Sequence, residues 1–237
     1  MQLIDISYNM GASPLFTSLN AAFISGLNGI VGKNGCGKST LLRILSGILK
    51  PNKGQVFVHE QDLYANHSRL SSQIGYVATK PFLYSHLTIK ENLCFIAKLH
   101  NIINKDFAAH FDQIMQQCDI QAYQNVLFGH CSDGVKKRIM IASALVHRPN
   151  ILILDEPCAE LDPIQRQHLW ALLNNLRKED KTIIFSSHHP QEFTGLCSAV
   201  YQLQHGQLQA ITHYEKMTQM WLQTTEIPPT YIGEEKR

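Results

Sequence analysis

Residues 32–40 read Gly32-Lys33-Asn34-Gly35-Cys36-Gly37-Lys38-Ser39-Thr40, the spacing G-x-x-x-x-G-K-[ST]. Glycines at 32, 35 and 37 let successive backbone N–H groups converge on phosphate oxygens. The flanking residues supply the context such a loop needs. Residues 29–31 are a strand-like apolar run, and residues 39–49 carry the periodicity of an amphipathic helix. A helix starting there turns its unpaired N–H groups and the positive end of its dipole toward an anion. On this reading Gly32 to Thr40, with Lys33, Asn34 and Cys36 between the glycines, form a phosphate cradle. Lys38 reaches the β- and γ-phosphates of a nucleotide and the Ser39 hydroxyl ligates Mg²⁺.

A second stretch, Ile151-Leu152-Ile153-Leu154-Asp155-Glu156-Pro157, is a continuously apolar run that ends in two carboxylates. The run suits a strand buried on both faces, and ligands of open α/β sheets gather just beyond such strand ends. Asp155 is expected to hold Mg²⁺ through water. Glu156 is expected to polarise the attacking water, a general-base role worth about 10²–10⁴ in rate. Cys36, close to a helix N-terminus and to Lys38, is expected to favour its thiolate and to be blocked by bound nucleotide; the alternative is a small residue that merely fits a tight loop.

Working outward, strand-type runs fall at residues 3–6, 21–25, 55–58, 74–77, 151–154 and 182–186, separated by helical periodicity. This alternation predicts an α/β fold with a mostly parallel sheet, an antiparallel β portion and an inserted helical sub-domain. The helical stretch covers residues about 86–148, including helices at 89–99 and 107–118, and the α/β core covers about 1–85 and 149–215. Runs at 199–203 and 207–211 flank His205-Gly206, a hairpin signal. The tail, 212–237, reads as a helix followed by a loose end.

Composition excludes several classes. The 237 residues are 44% hydrophobic and 17% charged, which suits one globular domain, and 21 basic against 19 acidic residues demand no nucleic-acid-binding face. No apolar run approaches the roughly 20 residues that span a bilayer, and the amino terminus carries no basic leader or long apolar segment. A cytoplasmic location follows, with any membrane partner a separate chain. The six cysteines form no CxxC pair and the twelve histidines no cluster, so free thiols are expected rather than a zinc site.

The order of these motifs carries a resemblance. The phosphate loop, Thr88-Ile89-Lys90-Glu91-Asn92-Leu93, Ser132-x-Gly134, the Asp155-Glu156 strand, Ala159-Glu160-Leu161-Asp162 and Ser186-Ser187-His188 together resemble the nucleotide-binding domains of ATP-binding cassette (ABC) transporters, over residues 1 to about 215. The resemblance implies a P-loop NTPase core that hydrolyses ATP with Mg²⁺. It implies that His188 is the switch histidine at the γ-phosphate and that Asp162 communicates across a dimer. Tyr8 would stack on adenine, the alternative being an edge-strand tyrosine with no ligand. Ser132 and Gly134 would close over the ATP of a second copy, identical or not. Two positions depart from the family. Thr79 stands where a metal- and partner-sensing glutamine is usual, and Asp133 replaces a glycine and brings negative charge toward the opposite γ-phosphate. Ser132-x-Gly134-Val135-Lys136-x-Arg138 is similar to the variant found in exporters of the ABC-2 type, which implies an exporter subunit working with an integral membrane partner. A slowly hydrolysing nucleotide-gated module, and a soluble ATPase of iron–sulfur assembly, remain as alternatives.

Overall fold

A computed structural model describes residues 1–102, 106–193 and 197–211. In chain order the elements are β1 (Gln2–Met10), β2 (Ser13–Ala22), β3 (Gly26–Val31), α1 (Lys38–Leu45), β4 (Lys53–Val58), β5 (Gln61–Asp62), the single turn α2 (His67–Leu70) and β6 (Ile74–Val77). There follow α3 (Ile89–Leu99), α4 (Phe107–Gln117), α5 (Asp133–Leu145), β7 (Ile151–Leu154), α6 (Pro163–Arg177), β8 (Thr182–Ser187), β9 (Ala199–Gln204) and β10 (Gln207–Ala210). Six strands form one sheet in the order β10-β9-β3-β8-β7-β6, parallel throughout except for β10 at its edge. The other four form an antiparallel sheet, β2-β1-β4-β5.

Apolar residues on both faces of the central strands decide the layering. Ile30, Ile153 and Ile184 point to one side, where they pack with Leu41, Leu42, Ile44 and Leu45 of α1 and with Leu3, Ile6, Phe16 and Leu19 of the antiparallel sheet. Leu27, Leu152, Leu154, Ile183 and Phe185 point to the other, against Ile139 and Ile141 of α5 and Leu169, Leu173 and Leu176 of α6. Helix α1 therefore lies between the two sheets, and the loop feeding it is fixed at the carboxyl end of β3. Asn28 is the polar exception inside β3; its amide donates to the carbonyls of Ile24, Gly26 and Ile183 at 2.8, 3.2 and 3.3 Å, so its burial is offset.

Local chemistry sets the helix boundaries. Thr88 and Glu91 form a reciprocal capping box at the start of α3, with Glu91 N donating to Thr88 Oγ1 at 3.2 Å and Thr88 N to the Glu91 carboxylate at 2.8 Å. Asp162 caps α6 ahead of Pro163. His205 and Gly206, with φ of 49° and 70°, make the two-residue hairpin turn between β9 and β10.

The strand expected at 21–25 is displaced: the chain is already extended in β2 from Ser13. Its inward residues Phe16 and Leu19 are three apart because Ser18 adopts φ 53°, and the pairing with β1 slips where Asp5 has φ 50°. Ser18 Oγ and the Asn20 amide hold the Asp5 carboxylate at 2.7 and 3.1 Å across this irregularity. A bulge erases the alternation that marks a strand in sequence. The expected tail helix lies outside the described residues.

Candidate active site

The phosphate loop is shaped by what its glycines exclude. A Cβ at Gly32 would sit 2.7 Å from the Leu203 carbonyl oxygen, and Gly37, at φ 104°, would bring one within 2.8 Å of the Phe16 ring. No side chain caps α1, whose N-cap is Gly37. A Cβ at Gly35 would meet nothing within 4 Å. The loop thus presents open space lined by uncapped N–H groups, which fits a polyphosphate.

Lys38 is only 6% exposed, and its ammonium reaches the carbonyls of Gly32 at 2.7 Å and Lys33 at 3.2 Å and the Glu156 carboxylate at 3.1 Å. Glu156 has φ 48°, a left-handed conformation that costs a non-glycine residue about 1–2 kcal/mol. That turn brings its two oxygens to different partners: one to Lys38, the other 2.8 Å from His188 Nδ1. Ser186 on β8 supports both acidic residues, its hydroxyl donating to Asp155 Oδ1 at 2.8 Å and accepting from Glu156 N at 2.9 Å. The parallel register sets this up, since Leu154 pairs with Phe185 and the next residues fall side by side.

Asn34, Gly35, Lys38, Ser39, Thr40, Thr79, Glu156, Ala159, His188 and Met10 border a cavity of about 380 Å³. Ser39 and Asp155 offer the hard oxygen donors that suit Mg²⁺, with Asp155 buried beside the cavity rather than lining it. Ser132, Gly134 and Asp162 do not border it. Ser132 precedes α5 and is exposed, Gly134 lies against the Gln165 side chain, and Asp162 Oδ1 accepts from Gln165 N at 2.8 Å. The three are nonetheless grouped, because Gln165 touches both the start of α5 and the cap of α6.

Tyr8, Cys36 and Asp133 lie away from the wall of this cavity. Tyr8 pairs with Phe16 and packs half-buried on the core below the antiparallel sheet; Met10, 61% exposed, borders the cavity instead. Cys36 does not border it either. Its thiol lines a separate hollow of about 650 Å³ between the loop and the β9–β10 turn, and burial pushes its pKa up despite the counter-pull of Lys38. Asp133 is 74% exposed in the first turn of α5, with Lys136 3.8 Å away. Met10 escaped the sequence reading because only the β1 irregularity brings it to the site, and Ser186, quoted there beside His188, was given no role because only the strand register sets it against Asp155 and Glu156.

A loop between a parallel strand and an uncapped helix, facing an acidic pair at the end of β7, two strands away across β8, defines a P-loop nucleotide-binding protein. Residues 25–159 match the family described as ABC transporter, more than half of the 237 residues, and the chain belongs to that family as an ATP-binding ATPase subunit. It is 32% identical over 181 residues to the ABC transporter ATP-binding protein NatA of Bacillus subtilis, covering 76% of this chain and 74% of NatA. Bacitracin transport ATP-binding protein BcrA of Bacillus licheniformis is 34% identical over 206 residues, covering 86% of this chain and 66% of BcrA. The probable multidrug ABC transporter ATP-binding protein YbhF of Escherichia coli is 33% identical over 196 residues; the match covers 83% of this chain but only 33% of YbhF. Among solved structures, cbiO1 of Clostridium perfringens, part of the cbiONQ transporter complex, superposes with a TM-score of 0.82 at 26% identity, covering 93% of this chain and 91% of that one. Among the described residues no helix is long and apolar enough to cross a membrane.

Proposed function

We propose that this chain hydrolyses MgATP in a site completed by a second cassette, identical or homologous, and that the resulting closure and opening drive a separate membrane-embedded exporter from its cytoplasmic face. The observation that carries the reading is the Lys38–Glu156–His188 chain of contacts, 3.1 and 2.8 Å, at the wall of the phosphate-loop cavity.

The geometry suits hydrolysis in steps. Lys38 holds Glu156. Phosphate oxygens would compete for the same ammonium and release the carboxylate to accept a proton from water. With Glu156 ionised, His188 Nδ1 donates to it, leaving Nε2 for the water or a γ-phosphate oxygen. Ser39 and Asp155, with Thr79 at the rim, would hold Mg²⁺, which supplies charge neutralisation across the β- and γ-phosphates. The adenine would lie toward Met10, at the end of the strand that carries Tyr8. Ser132 and Gly134 from the other cassette would cover the phosphates, with Asp162 at the junction. Residues about 86–148 would form the helical sub-domain that meets the membrane partner.

The names of YbhF and BcrA, a probable multidrug and a bacitracin transport protein, support export. The test is turnover and self-association of the purified chain. MgATP hydrolysis that vanishes in Glu156→Gln, with the variant forming an ATP-dependent dimer in size-exclusion chromatography, is expected; a variant that stays monomeric at high concentration with saturating ATP overturns the composite site.

A further inference from the structure

Three consecutive basic residues, Lys136, Lys137 and Arg138, follow the first turn of α5, and each has a different task. Lys136 lies beside Asp133 at the surface. Arg138 reaches back to the carbonyls of Cys118 and Asp119 and to the Asp119 carboxylate, closing the carboxyl end of α4. Lys137, between them, points inward and is 7% exposed. Its ammonium donates to the backbone carbonyl of Thr79, 3.3 Å away, in the loop after β6.

This is an expensive arrangement. A buried ammonium has three donors and loses its hydration, so it is ordinarily paired with a carboxylate. Among the described residues no carboxylate comes within ion-pair distance of Lys137; Glu160, Asp155 and Glu156 act on it only through space. A methionine of similar length would fill the position at lower cost. What the lysine adds is one directed bond, from the helix that begins at Ser132 to the loop whose Thr79 borders the cavity with Lys38 and Glu156.

We infer that Lys137 is a positioning residue for ATP hydrolysis: it ties the Thr79 loop to the start of α5, so that the face offered to a second cassette and the cavity wall shift together. This rests on the composite-site reading above. It assigns Lys137 no contact with ATP, water or metal. Its effect passes through the Thr79 backbone.

Lys137→Met and Lys137→Arg, compared with the unaltered chain, test it. For Lys137→Met, kcat should fall about tenfold with KM and MgATP affinity unchanged, and the melting temperature should hold or rise because a buried charge is gone. Lys137→Arg should recover most of the turnover. Hydrogen–deuterium exchange at the amides of residues 78–80 should quicken in the methionine variant. Unchanged kcat and exchange, or a loss of kcat that merely follows a lower melting temperature and weaker ATP binding, overturns the inference. Should the unaltered chain show no MgATP turnover at all, the proposed function fails, and the exchange measurement alone then decides whether Lys137 holds the loop.

Discussion

Lys38 carries the nucleotide site because no other ammonium borders the cavity among the described residues, and it is shared by two carbonyls and Glu156. Lys38→Ala should therefore abolish tight MgATP binding in a nucleotide titration; affinity equal to that of the unaltered chain would remove the site from this loop. Glu156→Gln should act oppositely on binding and chemistry. It removes the carboxylate that competes for Lys38, so MgATP affinity should hold or rise, while turnover falls by about 10²–10⁴. A parallel loss of both would mean that Glu156 serves binding, not water activation. Cys36 now carries a different expectation from the one its neighbours suggest. With its pKa raised by burial and its thiol in the hollow beyond the loop, brief maleimide treatment near neutral pH should label it slowly, with a rate that climbs as pH rises and changes little with MgATP. Fast labelling that MgATP blocks would put the thiol back among the phosphates. These residues show how far sequence reaches at this scale. Loop glycines, Lys38, Asp155 and Glu156 are legible because their roles depend on local spacing. Met10, and the support that Ser186 gives Asp155 and Glu156, are not, since a strand irregularity and the pairing of distant strands bring them in.

At the scale of elements, α5 gives Asp133 a local role. A carboxylate in the first turn of a helix is favoured by the positive end of the dipole, and Asp133 is exposed with Lys136 beside it. Lys136 offsets part of its charge, and the carboxylate's contribution to the helix is worth about 0.3–1 kcal/mol. Asp133→Asn should lower the melting temperature slightly and leave ATP-driven dimerisation unchanged; clearly stronger dimerisation would show that the charge does face the opposite phosphates. The start of α3 at Thr88 to Glu91 was readable because its cap is written in order, whereas the cap that Asp162 and Pro163 give α6 went unread. β2 was not readable either, because the left-handed Ser18 spaces Phe16 and Leu19 three residues apart and imitates a helical interval. The continuously apolar β7 was legible for the converse reason: burial on both faces leaves no alternation to disturb.

For the whole molecule, three imidazoles at the junction of the helices with the sheet make stability depend on pH. His147, between α5 and β7, lies 3.1 Å through Nε2 from the Ile74 carbonyl on β6, and its ring stacks on His100 at the end of α3 with centroids 4.3 Å apart. Its Nδ1 is buried without a partner. Protonation would add a proton that nothing accepts and a second charge against His100, so burial and then His100 pull the His147 pKa down to about 4 from 6.5. Burial also lowers those of His100 and of His110 on α4, whose Nε2 lies 3.0 Å from the Val146 carbonyl. The folded state consequently binds fewer protons than the unfolded chain at acidic pH, and stability rises with pH across that window. It should be fully present above pH 6.5 and fall as the pH drops toward about 4, with His147 alone accounting for on the order of 2–3 kcal/mol. His147→Gln keeps an N–H donor for Ile74 and removes the titration. In urea melts from pH 8 to pH 4.5 the unaltered chain should lose more stability than the variant as the pH falls, so any initial deficit of the variant narrows. Parallel curves over the whole range would mean that His147 titrates alike in the folded and unfolded chains and that the stacked pair does not govern the acid limb.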